Sequence, residues 1–230
     1  MLHSNDKIKI ESLNNTHTNT INMEHIISRL QSWRKERNIA IEFSRKGYIG
    51  NIFEELSEYC RGTEVEDKID ALADICVFSL NNIDTKINCI TIEKNHDSFL
   101  YRFSETFSTK YIQEVYKENI NSKLNTACTE LVKIAFEEID NLGFNINLVM
   151  NETIKEIESR TGSLDNTINK FVKSEGAYTL EELLNKYKGK YTSYKDEQSK
   201  WILILCDGTT KDIVKWHKAN YKQCRNSTFN

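Results

Sequence analysis

The chain has 230 residues, with 31 Lys and Arg against 34 Asp and Glu and a formal net charge of −3. That length supports one or two domains with a sizeable core, and the near-neutral balance gives no global basic field, so direct nucleic-acid binding is not expected. No apolar run is long enough to cross a membrane, the polar N-terminus has no signal-peptide pattern, and six scattered cysteines without a CxxC pair read as reduced core cysteine in a cytoplasmic protein rather than a zinc site.

Residues 1–22, including SLNNTHTNTIN, are polar and aperiodic and read as a disordered tail; His3 and His17 in it form no ligand pattern. Residues 23–38, MEHIISRLQSWRKERN, read as an amphipathic helix burying Ile26, Ile27, Leu30 and Trp33. Arg34, Lys35 and Arg37 complement its C-terminal dipole. FSRKGYIG, with two glycines, is read as a turn into the next helix. Absence of proline throughout suits a helical protein.

Residues 51–81 carry the chemistry. Glu54, Glu55 and Glu58 span roughly a quarter-turn of one helical face, and Asp67, Asp70 and Asp74 share a face on the helix that follows the RGTE turn. Helices joined by so short a turn are antiparallel neighbours, so the two acidic faces look at each other. Six facing carboxylates repel, and a cation relieves the repulsion. Oxygen ligands without His or Cys suit Mg²⁺, with Mn²⁺ as a substitute.

Residues 82–122 contain a short β-branched run, INCITI, and an aromatic-rich stretch that reads as helical toward its end. His96 beside Asp97 reads as a surface pair. Leu124, Cys128, Leu131, Ala135 and Ile139 mark an amphipathic helix over 123–141 with Gly143 as its stop, and Glu137, Glu138 and Asp140 on a solvated face. Asn147 can cap a further helix, Leu148 to Arg160, which Gly162 ends. DNTINKFVKSEG carries Lys170 and Lys173. Residues 177–200 read as one short helix and a polar linker. WILILC, the DGTT turn and DIVKWHKANY read as a small hairpin, with His217 on the surface.

EELSE, a turn, then DKIDALADICVF resembles the MazG-like, all-α nucleoside triphosphate pyrophosphohydrolases, whose pattern is EExxE on one helix and ExxD on the next. MNETIKEIESRTG followed later by KWHKANYKQC is similar to the C-terminal half of phage-type members, so the likeness spans roughly 24–82 and 124–224, with 177–200 unmatched inside the second block. One register sets Asp74 as the final Asp and puts Ala71 at the Glu position. The other sets Asp70 there and puts Asp67 at the Glu position.

The resemblance implies an all-α antiparallel bundle over residues 23–176, interrupted by an insertion at about 85–122. A C-terminal extension with a short hairpin follows over 177–230, and the bundles of related proteins pair, which suggests a homodimer. It implies cleavage of a nucleoside triphosphate between the α- and β-phosphates, with Glu54, Glu55 and Glu58 as catalytic residues. Glu55, Glu58, Asp67, Asp70 and Asp74 stand as metal ligands. In the family the first helix borders the nucleotide pocket, which points to Trp33 or Arg37.

An acidic pocket alone repels a triphosphate, so cations must come from the second half of the chain: Arg160 first, then Lys155, Lys173 and Lys218. No Walker-type glycine loop exists, which disfavours P-loop chemistry, and no Glu-x-x-His pair supports a di-iron bundle. A helical dUTPase and a non-catalytic nucleotide- or protein-binding bundle are the alternatives.

Overall fold

The computed structural model describes residues 18–115, 121–165, 167 and 170–226. His3, His17 and most of the N-terminal segment lie outside these residues. The described chain is not all-α. Strands β1 (Thr18–Asn22), β2 (Cys89–Glu93), β3 (Gly162–Asp165), β4 (Lys170–Lys173), β5 (Gly176–Ala177), β6 (Tyr191–Asp196), β7 (Lys200–Leu205) and β8 (Thr210–Lys215) form three sheets among the helices.

The main core is helical. α1 (Glu24–Glu36) buries Ile26 and Leu30. α2 (Ile41–Arg61) runs straight through FSRKGYIG, so the expected turn is helix. A side chain at Gly50 would meet nothing and one at Gly47 only Asn51, so these glycines answer to no close packing. α3 (Val65–Leu80) is the central element. Ile69, Ala71, Leu72, Ala73, Ile75, Cys76, Val77, Ser79 and Leu80 are all buried, more than one stripe's worth, because neighbours cover it on several sides.

The aromatic-rich segment is helical from its beginning. α4 (Phe99–Thr106) continues into a π-helical stretch, Phe107–Ile112, and the short α5 (Gln113–Val115). Phe99, Phe103, Phe107 and Tyr111 form a continuous ring ladder, with successive centroids 5.4–6.1 Å apart. α6 (Asn121–Asn141) packs on α3, its five predicted core residues all buried. Glu137 on it is buried rather than solvated and pairs with Arg102. Gly143 takes the left-handed conformation (φ 85°) that ends the helix. Asn145, not Asn147, caps α7 (Ile146–Ser159) by accepting from the Leu148 N–H.

Part of the expected tail is a strand. β1 pairs antiparallel with β2, and Ile21, Ile90 and Ile92 turn into the core. β1 offers one apolar residue, so its strand character depends on its partner. The hairpin β3–β4 follows α7.

The C-terminal part has its own small core of Ala177, Leu183, Tyr187, Trp201, Leu203 and Ile213. Around it run α8 (Leu180–Lys186) and a four-stranded mixed sheet ordered β5-β8-β7-β6. The β7–β8 hairpin is the predicted one, turning at Gly208. The supposed polar linker supplies edge strand β6, and β5 adds a parallel pairing to β8. All six cysteines are free, with Cys76, Cys128 and Cys224 buried. No helix among the described residues is long and apolar enough to cross a membrane.

Candidate active site

α2 and α3 form an antiparallel pair joined at Gly62, whose N–H returns to the Glu58 carbonyl. Ile52 is buried while Phe53 points outward, which turns Glu55 into the protein at 8% exposure and leaves Glu54 and Glu58 exposed. On α3, Asp70 and Asp74 stand one turn apart. Ala71 is buried at 1% exposure, so the position where a ligand would fall in one register is core, while Asp70 lies on the side of Asp74.

These carboxylates feel one another. Glu55 is pushed up to about 9, first by burial, then by the charges of Asp74, Glu58, Asp70 and Glu54. Asp74 is pushed up to about 7 by burial and by Asp70 and Glu156, against the pull of Arg160 and Lys218. Five of the six predicted carboxylates therefore lie within reach of one another's charge. Asp67 does not join them. Its carboxylate accepts from the Glu64 N–H at 3.2 Å, closing a capping box at the start of α3.

The predicted cations arrive from α7 and from the segments C-terminal to it. Arg160 pairs with Glu156 and donates through Nε to the Tyr178 hydroxyl at 2.7 Å, which in turn donates to Glu156 at 3.0 Å. The Lys218 ammonium lies 3.8 Å from Asp70 and 3.7 Å from Glu156. Burial and the neighbouring Arg160 push the Lys173 ammonium below its ordinary value, while Glu156 and Asp74 pull it back, which places Lys173 in the same electrostatic neighbourhood. Lys155 pairs with Glu152 at 2.6 Å. Trp33 and Arg37 are committed elsewhere. Trp33 donates to the Ile157 carbonyl, and buried Arg37 covers the Trp33 ring and donates to the Glu158 carbonyl.

Sequence reasoning missed several participants. Glu152 and Glu156 are buried, one turn apart on α7. Burial raises both, but their partners outweigh it: hydrogen bonds from Lys155, His217 and the Asn220 N–H at Glu152, and at Glu156 the Ala219 N–H hydrogen bond followed by the charges of Arg160 and Lys218. Both end below the ordinary carboxylate value. His217 is exposed, as expected, and its Nε2 sits 2.9 Å from Glu152. Tyr178 and Tyr221 complete the set. Buried Tyr221 donates to Asp70 at 2.8 Å. The one signal available was Glu152, Glu156 and Arg160 at four-residue spacing.

No family model, curated protein or solved structure matches this chain.

Among the described residues no three His, Cys, Asp or Glu side chains are gathered in ligating geometry. The donor types are oxygens, the kind a hard divalent cation takes. The set is all carboxylate, and Glu55, 8% exposed, makes no hydrogen bond or ion pair among the described residues, with Asp74, Glu58, Asp70 and Glu54 the charges that raise it.

Proposed function

We propose that this chain is a divalent-cation-dependent pyrophosphohydrolase that cleaves a nucleoside triphosphate to the monophosphate and pyrophosphate. The observation that carries the reading is Glu55: a residue 8% exposed, without a hydrogen bond or ion pair among the described residues, whose carboxylate feels the charges of Asp70 and Asp74, with Arg160 and Lys218 acting on Asp74 from the other side. The resemblance of EELSE and DALAD to the MazG-like pattern points the same way.

Glu55, Glu58, Asp70 and Asp74 would hold Mg²⁺ or Mn²⁺, and Asp67 stays with its helix end. Such a cation neutralises phosphate oxygens and acidifies water. Glu54 and Glu58, exposed at the rim, can accept a proton from an attacking water. Arg160, fixed by Tyr178 and Glu156, presents a rigid donor to phosphate, and Lys173 and Lys218 add charge that stabilises the transition state. Tyr221 holds Asp70 in place.

The test is incubation of purified protein with ribo- and deoxynucleoside triphosphates and Mg²⁺, with products resolved by chromatography. Monophosphate and pyrophosphate in equal amounts support the reading; release of orthophosphate, or no turnover across the panel, overturns it.

The carboxylates' lack of ready ligating geometry favours a second reading, a nucleotide-binding bundle without turnover. Binding of a triphosphate with no product after extended incubation would select it. A homodimer belongs to the proposal, with exposed Phe53, Leu100 and Tyr101 on α2 and α4 as surface to cover. Light scattering at one or two times 26.9 kDa decides.

A further inference from the structure

Charge is segregated along this chain. Residues 186–226 hold ten Lys and Arg against four Asp and Glu, a net +6, and the rest of the chain holds 21 against 30, a net −9. The near-neutral total therefore hides a basic C-terminal part. The excess begins at KYKGKYTSYK, residues 186–195, with four lysines, three tyrosines and no acidic residue. This stretch covers the end of α8, the turn that follows and most of β6. β6 is the outer strand of its sheet, paired on one side with β7 and on the other with no strand among the described residues.

The acids of this part are already taken. Glu175 lies 3.4 Å from Lys186 and 2.6 Å from Lys211, Asp212 lies 2.6 Å from Lys200, and Asp196 pairs with Lys215. Asp207 accepts from the Thr209 N–H and hydroxyl inside the β7–β8 turn. Lys188, Lys190 and Lys195 are left over: all three are exposed, and none has an ion pair among the described residues. Tyr187 is buried in the small core and Tyr191 packs against it, but Tyr194 is 40% exposed. Successive strand residues point to opposite faces of a sheet, so Tyr194 and Lys195 flank the open edge from its two faces. Lys188 and Lys190 stand at the end where β6 begins.

We propose that the β6 edge is a binding surface for single-stranded nucleic acid, with Lys188, Lys190 and Lys195 against backbone phosphates and Tyr194 stacked on a base. Charge complementarity names a polyanion. The exposed tyrosine beside surplus lysines chooses among polyanions, because an unpaired base always offers a π-face, whereas a lipid headgroup or a carboxylate does not. In a duplex those faces are already stacked. β6 spans roughly 20 Å at about 3.3 Å per residue, room for about four nucleotides, the low end for such sites. Lysines on an open edge also hinder pairing with a foreign strand. That role needs neither the exposed tyrosine nor the two lysines that precede the strand. None of these residues enters the hydrolase reading, so the two stand or fall separately.

The experiment is fluorescence anisotropy of a labelled single-stranded DNA of about twelve mixed-sequence nucleotides, titrated with the full chain in chelator. The wild type should bind, with log Kd rising against log salt at a slope of about 2, as three phosphate contacts on a single strand require. Lys188→Gln combined with Lys190→Gln should weaken binding at least about fivefold and bring the slope below about 1. Tyr194→Leu should weaken it at least about fivefold with the slope unchanged, and Tyr194→Phe should stay within about twofold of the wild type. These side chains lie outside the core, so melting temperatures should stay within a few degrees of the wild type. A charge effect in one variant and a salt-independent ring effect in the other are expected of a bound single strand and not of edge protection. No binding by the wild type at about 100 μM protein and low salt overturns the proposal. So does binding that either the lysine pair or Tyr194→Leu leaves unchanged. Equal affinity for the duplex of the same sequence, or for vesicles containing phosphatidylserine, overturns it in favour of a surface that accepts any anion.

Discussion

Two buried glutamates face the same site and are treated in opposite ways. Glu156 on α7, 4% exposed, is surrounded by an N–H, a guanidinium, a tyrosine hydroxyl and an ammonium, and stays easily ionised. Glu55 on α2, 8% exposed, has four carboxylates for company and rises to about 9. Burial is similar, so burial does not set the difference; the supply of partners does. The α7 side is completed by the chain itself. The α2 side gives Glu55 carboxylate neighbours and, among the described residues, no hydrogen-bond or ion-pair partner.

The sharpest way to break that contrast is one substitution on both sides. Glu55→Gln should abolish the rise in melting temperature caused by millimolar Mg²⁺ and cut pyrophosphohydrolase activity by at least about a hundredfold. It should also stabilise the metal-free protein, by about 1–3 kcal/mol at pH 9. Glu156→Gln should act with the other sign and destabilise by about 2 kcal/mol, because it leaves the partly exposed Arg160 uncompensated. Melts of both variants in chelator read this directly, and equal signs would end the comparison.

Next in size is the pH dependence. The unfolded chain ionises Glu55 at the ordinary carboxylate value and the folded chain only near 9, so the folded state carries the extra proton in between. Without metal, stability should therefore fall as pH rises through that window and level off above it, with Asp74 adding to the fall up to about 7. Denaturant titrations in chelator from pH 5 to 9 measure the slope, and Glu55→Gln should flatten it. Cation binding should release protons into weakly buffered solution.

Within α3 the contrast becomes one of register. Asp70→Asn and Asp74→Asn should each lower kcat/KM by about a hundredfold or more, whereas Asp67→Asn should cost only about 0.5–1 kcal/mol of stability from its cap. An inactive Asp67→Asn beside an active Asp74→Asn would place the motif at DKID. The smallest effect concerns Arg160. Arg160 is tied to Glu156 and Tyr178, so Arg160→Ala confounds stability with binding. Arg160→Lys keeps the charge and should lower kcat/KM about tenfold, roughly 1.4 kcal/mol, with a melting temperature within a few degrees of the wild type.

The sequence by itself determined the helices whose apolar stripes are long. α1, α3 and α6 each carry enough periodic burial to be read without partners, and EELSE facing DALAD followed from a short turn between two such helices. It also showed which residue types could balance the acidic charge, because a carboxylate cluster demands cations, and Lys218 lies beside Asp70 and Glu156 while Arg160 pairs with Glu156.

Only the tertiary structure decided the rest. Strands such as β1 and β6 have little apolar alternation of their own and exist through their neighbours' hydrogen bonds, so the expected all-α fold became a mixed one. Likewise, nothing local distinguishes Glu55 from Glu58 or Glu156 from Glu158. Which carboxylate is buried, and whether a cation reaches it, depends on α7 and on a strap some sixty residues further along. Helical period is a short-range property that a window of sequence displays; the burial and pairing of a charge are set by segments distant in the chain.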